Sequence, residues 1–173
     1  MTTLLLVRHG ETDWNAEGRL QGHTDRPLSD FGRRQARQLA EVLKGEELEA
    51  IYSSDLARAR ETAEIVGERL GLPVELDPDL REKDWGTWEG LTSVERDRVE
   101  FVGESTEAHR ERILRALRRI SERQPGEGRI LVVTHGGSMR RVQTAAMGMA
   151  MPVVENCGRW LCVYENGSFR ALD

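Results

Sequence analysis

Two apolar runs far apart in the chain end in the same way. Leu4-Leu5-Leu6-Val7 leads into Arg8-His9-Gly10, and Ile130-Leu131-Val132-Val133-Thr134 leads into His135-Gly136-Gly137. Short unbroken apolar runs of this kind belong to strands covered on both faces, as in the parallel sheets of α/β folds. The carboxyl ends of such strands share one edge, where ligands bind, so the pattern predicts two imidazoles meeting at one site. A glycine after each histidine lets backbone approach a ligand closely. Either histidine alone reads as readily as scaffolding; the doubled arrangement singles out the pair.

Strand and helix signals alternate along the rest of the chain. Strands are expected at 3–7, 50–53, 74–76 and 129–134. Helices are expected from Ser29 or Asp30 to Lys44, from Ser54 or Asp55 to a stop at Gly71, and over 105–123 and 138–148. Ala36, Leu39, Ala40 and Leu43 mark the inner face of the first, Ala59, Ala63, Val66 and Leu70 that of the second, and Ile113, Leu114, Leu117 and Ile120 that of the third. Residues 160–165 and 169–172 flank Asn166-Gly167, a type I′ hairpin signal. The reading is an α/β fold of three layers, α/β/α, with a mostly parallel central sheet and a C-terminal hairpin that adds an antiparallel strand. One domain spans residues 1–173, and the irregular stretch 77–104 includes a short lid at about 91–104.

Charge and composition exclude several functions. A net charge of −5 argues against a nucleic-acid footprint, which needs a basic face. No apolar run approaches the roughly 20 residues of a membrane span, and Met1-Thr2-Thr3 carries no basic leader region, so a cytoplasmic chain is expected. Cys157 and Cys162 match no metal or redox spacing and read as packing thiols; no metal and no cofactor is expected. His23 and His109 read as surface or structural residues.

The predicted topology brings Arg8, His9, Arg58, Glu82 and His135 to one sheet edge, with Asn15, Gln21 and Gly22 in the polar loop after the first strand. Arginine's planar fork suits phosphate oxygens, and the start of the helix bearing Arg58 is expected to add a positive field there. A neutral imidazole attacks phosphorus once the dianion's repulsion is cancelled, which Arg8 and Arg58 can do. One carboxyl group, Glu82, can serve as acid and then as base, and like charge from a bound dianion favours its protonated form. The competing reading pairs Glu82 with Arg81 or Lys83.

Arg8-His9-Gly10-Glu11-Thr12 with Trp14-Asn15, Leu28-Ser29 with Gly32 and Gln35-Ala36, and Ser53-Ser54-Asp55-Leu56-Ala57-Arg58-Ala59 with Glu61-Thr62-Ala63 follow in order. Leu80-Arg81-Glu82 with Trp85-Gly86 and Trp88-Glu89-Gly90, and Val133-Thr134-His135-Gly136-Gly137, complete the set. Over nearly its whole length the chain resembles the histidine phosphatase superfamily, the phosphoglycerate mutase-like group. The resemblance implies a metal-independent phosphohistidine mechanism. By position His9 is phosphorylated, Arg8, Arg58 and His135 hold phosphoryl oxygens, Glu82 exchanges the proton, and Asn15, Gln21, Gly22 and Gly136 shape the phosphoryl pocket.

The mutases of the group carry a longer insertion after the glutamate segment than residues 91–104 provide, so a phosphomonoesterase is expected, with a small phosphate ester as partner. The chain looks most like the small phosphatases, α-ribazole phosphatase of cobalamin biosynthesis among them. A cofactor-dependent phosphoglycerate mutase and a non-catalytic phosphate-binding regulatory module are the alternatives, and a homodimer is left open. Trp85, Trp88, Phe101 and Val102 beside the lid, with Arg96 and Arg98, read either as leaving-group contacts or as ordinary packing and solvated surface.

Overall fold

In the computed structural model, which describes residues 1–123 and 128–172, the two apolar runs become β1 (Thr2–Arg8) and β4 (Arg129–Thr134), paired in parallel with Arg8 opposite Thr134. β2 (Leu48–Ser53) pairs in parallel with β4, and β3 (Val74–Leu76) with β2. β5 (Arg159–Glu165) runs antiparallel to β1, and β6 (Ser168–Ala171) antiparallel to β5. The sheet order is β3-β2-β4-β1-β5-β6. The hairpin turn has φ +51° at Asn166 and +81° at Gly167, the positive pair a type I′ turn requires.

Unbroken apolar strands need cover on both sides, and the helices supply it. Leu4, Leu6, Ile130 and Val132 point to the layer of α5 (Thr106–Arg123) and α6 (Gly136–Met147), packing on Ile113, Leu117, Ile120, Met139 and Val142. Leu5, Val7, Leu131 and Val133 point the other way, onto Leu39, Ala40 and Leu43 of α2 (Asp30–Leu43) and Ala59, Ala63 and Val66 of α3 (Ala57–Leu70). Successive strand residues therefore serve two cores, which is why the sequence shows no polar alternation. Among the described residues no helix is long and apolar enough to cross a membrane.

The departures from the sequence expectation lie at helix starts. α3 begins at Ala57, behind Leu56 and without a side-chain cap, because Ser54 and Asp55 are engaged elsewhere: Ser54 Oγ meets His135 and Asp55 pairs with Arg81. α6 begins at Gly136 rather than Ser138, with His135 as its flanking residue. The loop after β1 contains a short helix, α1 (Asp13–Ala16), fixed by a reciprocal capping box between Thr12 and Asn15. The stretch after β3 holds single 3₁₀ turns at Pro78–Leu80 and Gly86–Trp88 and a short helix, α4 (Ser93–Arg96), inside the expected lid. The expected domain span 1–173 includes residues 124–127 and 173, which lie outside those described.

Candidate active site

Parallel register sets the geometry. The His9 N–H donates to the Thr134 carbonyl at 3.0 Å, continuing the β1–β4 ladder by one bond, so His9 and His135 leave the sheet side by side. Their ring centroids are 5.2 Å apart at an interplanar angle of 59°. His9 Nδ1 lies 2.7 Å from the Gly10 carbonyl, which can only accept, so Nδ1 carries the proton and Nε2 bears the free lone pair. Burial, reinforced by Arg58 and Arg8, holds the His9 imidazole well below its usual range, and burial with Arg58 does the same for His135. Both rings are neutral at pH 7.

His135 Nε2 is 2.9 Å from Ser54 Oγ, which also accepts the Leu56 N–H. With the hydroxyl proton donated to Nε2, His135 Nδ1 carries a proton and has no partner. Among the described residues five buried side-chain polar atoms lack a partner, and four belong here: Arg8 Nε, Arg58 Nε, His135 Nδ1 and Gln21 Oε1. Buried polar groups are otherwise almost always bonded, so three convergent unpaired donors mark a place for an anion.

The charges point the same way. Arg58 is 1% exposed; it donates to the carbonyls of Gly22 at 2.7 Å and Thr24 at 3.2 Å but forms no ion pair among the described residues. Burial pushes its guanidinium down to about 10. Arg8 donates to the Val154 carbonyl at 2.8 Å, and burial lowers it too. Arg58 is buried and Arg8 partly buried, and two such guanidiniums, neither in an ion pair among the described residues, are unfavourable side by side unless an anion sits between them. A cavity of about 370 Å³ opens beside them, lined by Arg8, His9, Arg58, Glu82, Trp85 and Gly136 among others. Open grooves of about 660 and 760 Å³ lie along α2, away from these groups.

Glu82 pairs with neither Arg81, which binds Asp55 through two 2.6 Å bonds, nor the Lys83 ammonium. Its oxygens accept the backbone N–H of Lys83 at 2.8 Å and of Gly137 at 2.9 Å, which aims the carboxylate into the cavity wall. The helix N-terminus beside the cavity is therefore that of α6. The positive field expected from α3 falls elsewhere, since the first amide of that helix is taken by Asp25 at 2.7 Å.

Asn15, Gln21, Gly22 and Gly136 all line the cavity; His135 is fully buried beside His9, which lines it. Gly22 has φ +54°, and a Cβ there would lie 2.9 Å from the Trp85 nitrogen. At Gly136 a Cβ would come within 3.3 Å of Arg8 Nε, so glycine gives that arginine room. Sequence reasoning missed Asn156, whose Nδ2 donates to the His9 carbonyl at 3.0 Å, and the Cys157 amide, which donates to the Arg8 carbonyl at 3.0 Å; no local signal in the sequence distinguishes either. Arg19, Arg140 and Arg141 also line the cavity unannounced. His109 is no surface residue: it is buried, 2.9 Å from Ser138 Oγ and 3.7 Å from Glu82 Oε1. His23 Nε2 lies 3.0 Å from the Glu82 carbonyl oxygen. Trp85, Trp88 and Phe101 pack on one another, with only Trp85 reaching the cavity.

Known proteins share this fold. The profile of the histidine phosphatase superfamily (branch 1) matches residues 4–172. Phosphoglycerate mutase-like protein 4 of Arabidopsis thaliana is 41% identical over 169 residues, covering 87% of this chain and 73% of that protein. The solved structure of a mycobacterial glucosyl-3-phosphoglycerate phosphatase complexed with VO3 matches with a TM-score of 0.88 at 30% identity, over 98% of this chain and 96% of that one. A putative α-ribazole-5′-P phosphatase from Escherichia coli gives a TM-score of 0.83 at 28% identity, over 99% of this chain and 96% of that one. On that match, which spans nearly all of the residues described, the chain belongs to the histidine phosphatase superfamily, branch 1.

Proposed function

We propose that this chain, a phosphoric monoester hydrolase of the histidine phosphatase superfamily, cleaves a small phosphate ester through a phosphohistidine at His9. The observation that carries this reading is the neutral His9 ring, with Nε2 free, beside the buried Arg58 and the partly buried Arg8, neither in an ion pair among the described residues. The phosphoryl group sits among Arg8, Arg58 and His135 Nδ1, which offset its charge as Nε2 attacks phosphorus. The N–P bond forms as the ester P–O bond breaks, and the Glu82 carboxyl gives its proton to the leaving oxygen. Water then attacks phosphorus, Glu82 takes a proton from it, and the N–P bond breaks to release phosphate and restore His9. No step needs a metal, and among the described residues no group of three or more His, Cys, Asp or Glu side chains is placed to hold one.

Hydrolysis is favoured over mutase chemistry because the segment 91–104 is shorter than the insertion of the mutases and supplies no residue to the cavity lining, so less of the chain is available to shield a phosphohistidine from water. α-Ribazole 5′-phosphate is one candidate ester, supported by the name of one structural relative. The test is acid-free quenching of ³²P-labelled ester turnover in the presence of chelator, followed by mapping of the label. Label at His9, lost with turnover in His9→Ala, supports the mechanism. Label on another residue, or turnover that chelation stops, refutes it. Isomerisation of 3-phosphoglycerate with added bisphosphoglycerate and little phosphate release would make the protein a mutase; binding of phosphate without turnover of any ester would make it a regulatory module.

A further inference from the structure

The cavity carries more positive charge than one phosphoryl group requires. Five guanidiniums line it, from Arg8, Arg19, Arg58, Arg140 and Arg141, against the single carboxylate of Glu82. Arg19 is neutralised by Glu17 and Glu95, at 2.8 and 3.2 Å. Arg8 and Arg58 border His9, where the phosphoryl group belongs in the proposed mechanism. That leaves Arg140 and Arg141, three and four residues into α6 beyond Gly137, with no ion pair and no side-chain hydrogen bond among the described residues. Among the described residues no carboxylate pairs with them, and Glu82 is already held by two backbone amides.

A neighbouring cation sharpens the imbalance. Lys83 is 8% exposed and has no carboxylate partner; its Nζ lies 4.4 Å from the Trp85 ring centroid and 4.6 Å from that of Phe101, and it donates to Thr106 Oγ1 at 3.3 Å. Burial first, and Arg141 second, hold this ammonium below its usual range. Cations that repel one another along the wall of a concave site are relieved when an anion enters.

We infer that the cavity contains a second anion subsite, formed by Arg140 and Arg141, which takes a carboxylate or second phosphate carried on the leaving group of the ester. The inference rests on the phosphomonoesterase reading and narrows it: the preferred substrate is a small phosphate ester with a second acidic group. A neutral nucleoside leaving group, as in α-ribazole 5′-phosphate, leaves both guanidiniums unmatched and ranks below it. The volume of about 370 Å³ suits a leaving group of a few carbons.

The test compares phosphate release from 3-phosphoglycerate and from glycerol 3-phosphate, which differ by a carboxylate in place of a hydroxymethyl group. p-Nitrophenyl phosphate reports whether the protein hydrolyses phosphomonoesters at all. In the wild type the carboxylate is expected to raise kcat/KM about tenfold to a hundredfold, the range of a charge-assisted hydrogen bond. Arg140→Gln and Arg141→Gln should each shrink that ratio, the double variant should bring it close to one, and Arg141→Lys should keep much of it. Phosphoethanolamine, with a cationic leaving group, should gain in kcat/KM as the charges are removed. A wild-type ratio near one, with p-nitrophenyl phosphate hydrolysed, overturns the subsite alone. So does a preference that survives both substitutions, or an equal loss on both esters. If the double variant does not fold, the single substitutions decide. Failure of the wild type to hydrolyse any ester overturns the phosphatase reading itself, and the subsite with it.

Discussion

Replacing Gly137 by alanine isolates the role assigned to Glu82. Gly137 is helical at the start of α6, with no positive φ, so the backbone accepts alanine and gains up to about 1 kcal/mol in helix propensity. The added Cβ, however, would lie 2.9 Å from Glu82 Cδ and Oε2, and closer still to Oε1. Ordinary contact begins at 3.4 Å, so the carboxyl carbon is short of room by 3.4 − 2.9 = 0.5 Å and Oε1 by more. Glu82 has to retreat, stretching its 2.9 Å bond from the Gly137 amide. A misplacement approaching 1 Å at a reacting group lowers rate by about 10²-fold, near 2.7 kcal/mol of barrier. The loss should depend on the leaving group. An alkyl phosphate needs a proton on the departing oxygen, whereas nitrophenolate leaves without one. The assay is kcat/KM for glycerol 3-phosphate and p-nitrophenyl phosphate, with Tm measured alongside. We expect a loss of about 10²-fold on the alkyl ester, a much smaller loss on the aryl ester, and a Tm equal to or above that of the wild type. Equal losses on both esters, or an unchanged alkyl rate, would refute Glu82 as the proton donor.

Arg58→Met should lower kcat/KM by at least about 10³-fold while leaving stability within about 2 kcal/mol. Holding the guanidinium down at about 10 disfavours the charged form by about 3 kcal/mol, and losing the bonds to Gly22 and Thr24 gives back a similar amount. A large fall in Tm would contradict this. Because the folded value is depressed, the folded arginine binds fewer protons than the unfolded one above about 10, so chemical denaturation should show the wild type gaining on the variant as pH rises past that value. His9 and His135 are likewise held below 6.5 in the fold, so stability is full above that pH and is lost as pH falls below it, by about 1.4 kcal/mol per pH unit for each ring. His135→Asn should flatten that acid limb by one proton in urea titrations; an unaltered slope would show that the ring is not buried neutral. Gly22→Ala forces φ +54° on a residue with a Cβ and presses on the Glu89 carboxylate and the Trp85 nitrogen, so Tm should drop by about 4–8 °C for a cost near 2 kcal/mol; no change would mean the loop rearranges freely.

What the sequence determined by itself is the layered α/β fold and the meeting of two histidines, because burial leaves a periodic record in the residues that are buried. The runs at β1 and β4 are apolar throughout because both faces are covered, and β3 and β4 begin and end where composition places them. Helix starts were less legible: Ser54 and Asp55 have the chemistry of caps, but His135, 81 positions away, and Arg81, 26 positions away, compete for them. Only the tertiary structure decided which partner each polar group finds. It gave Arg81 to Asp55 and Arg58 only the carbonyls of Gly22 and Thr24, fixed the proton of His9 on Nδ1, set Asn156 behind His9, and turned Arg140 and Arg141 toward the cavity. Such pairings depend on which loops come within 3 Å of one another, a long-range property that local periodicity does not encode, whereas the apolar pattern is satisfied by any cover of the right shape.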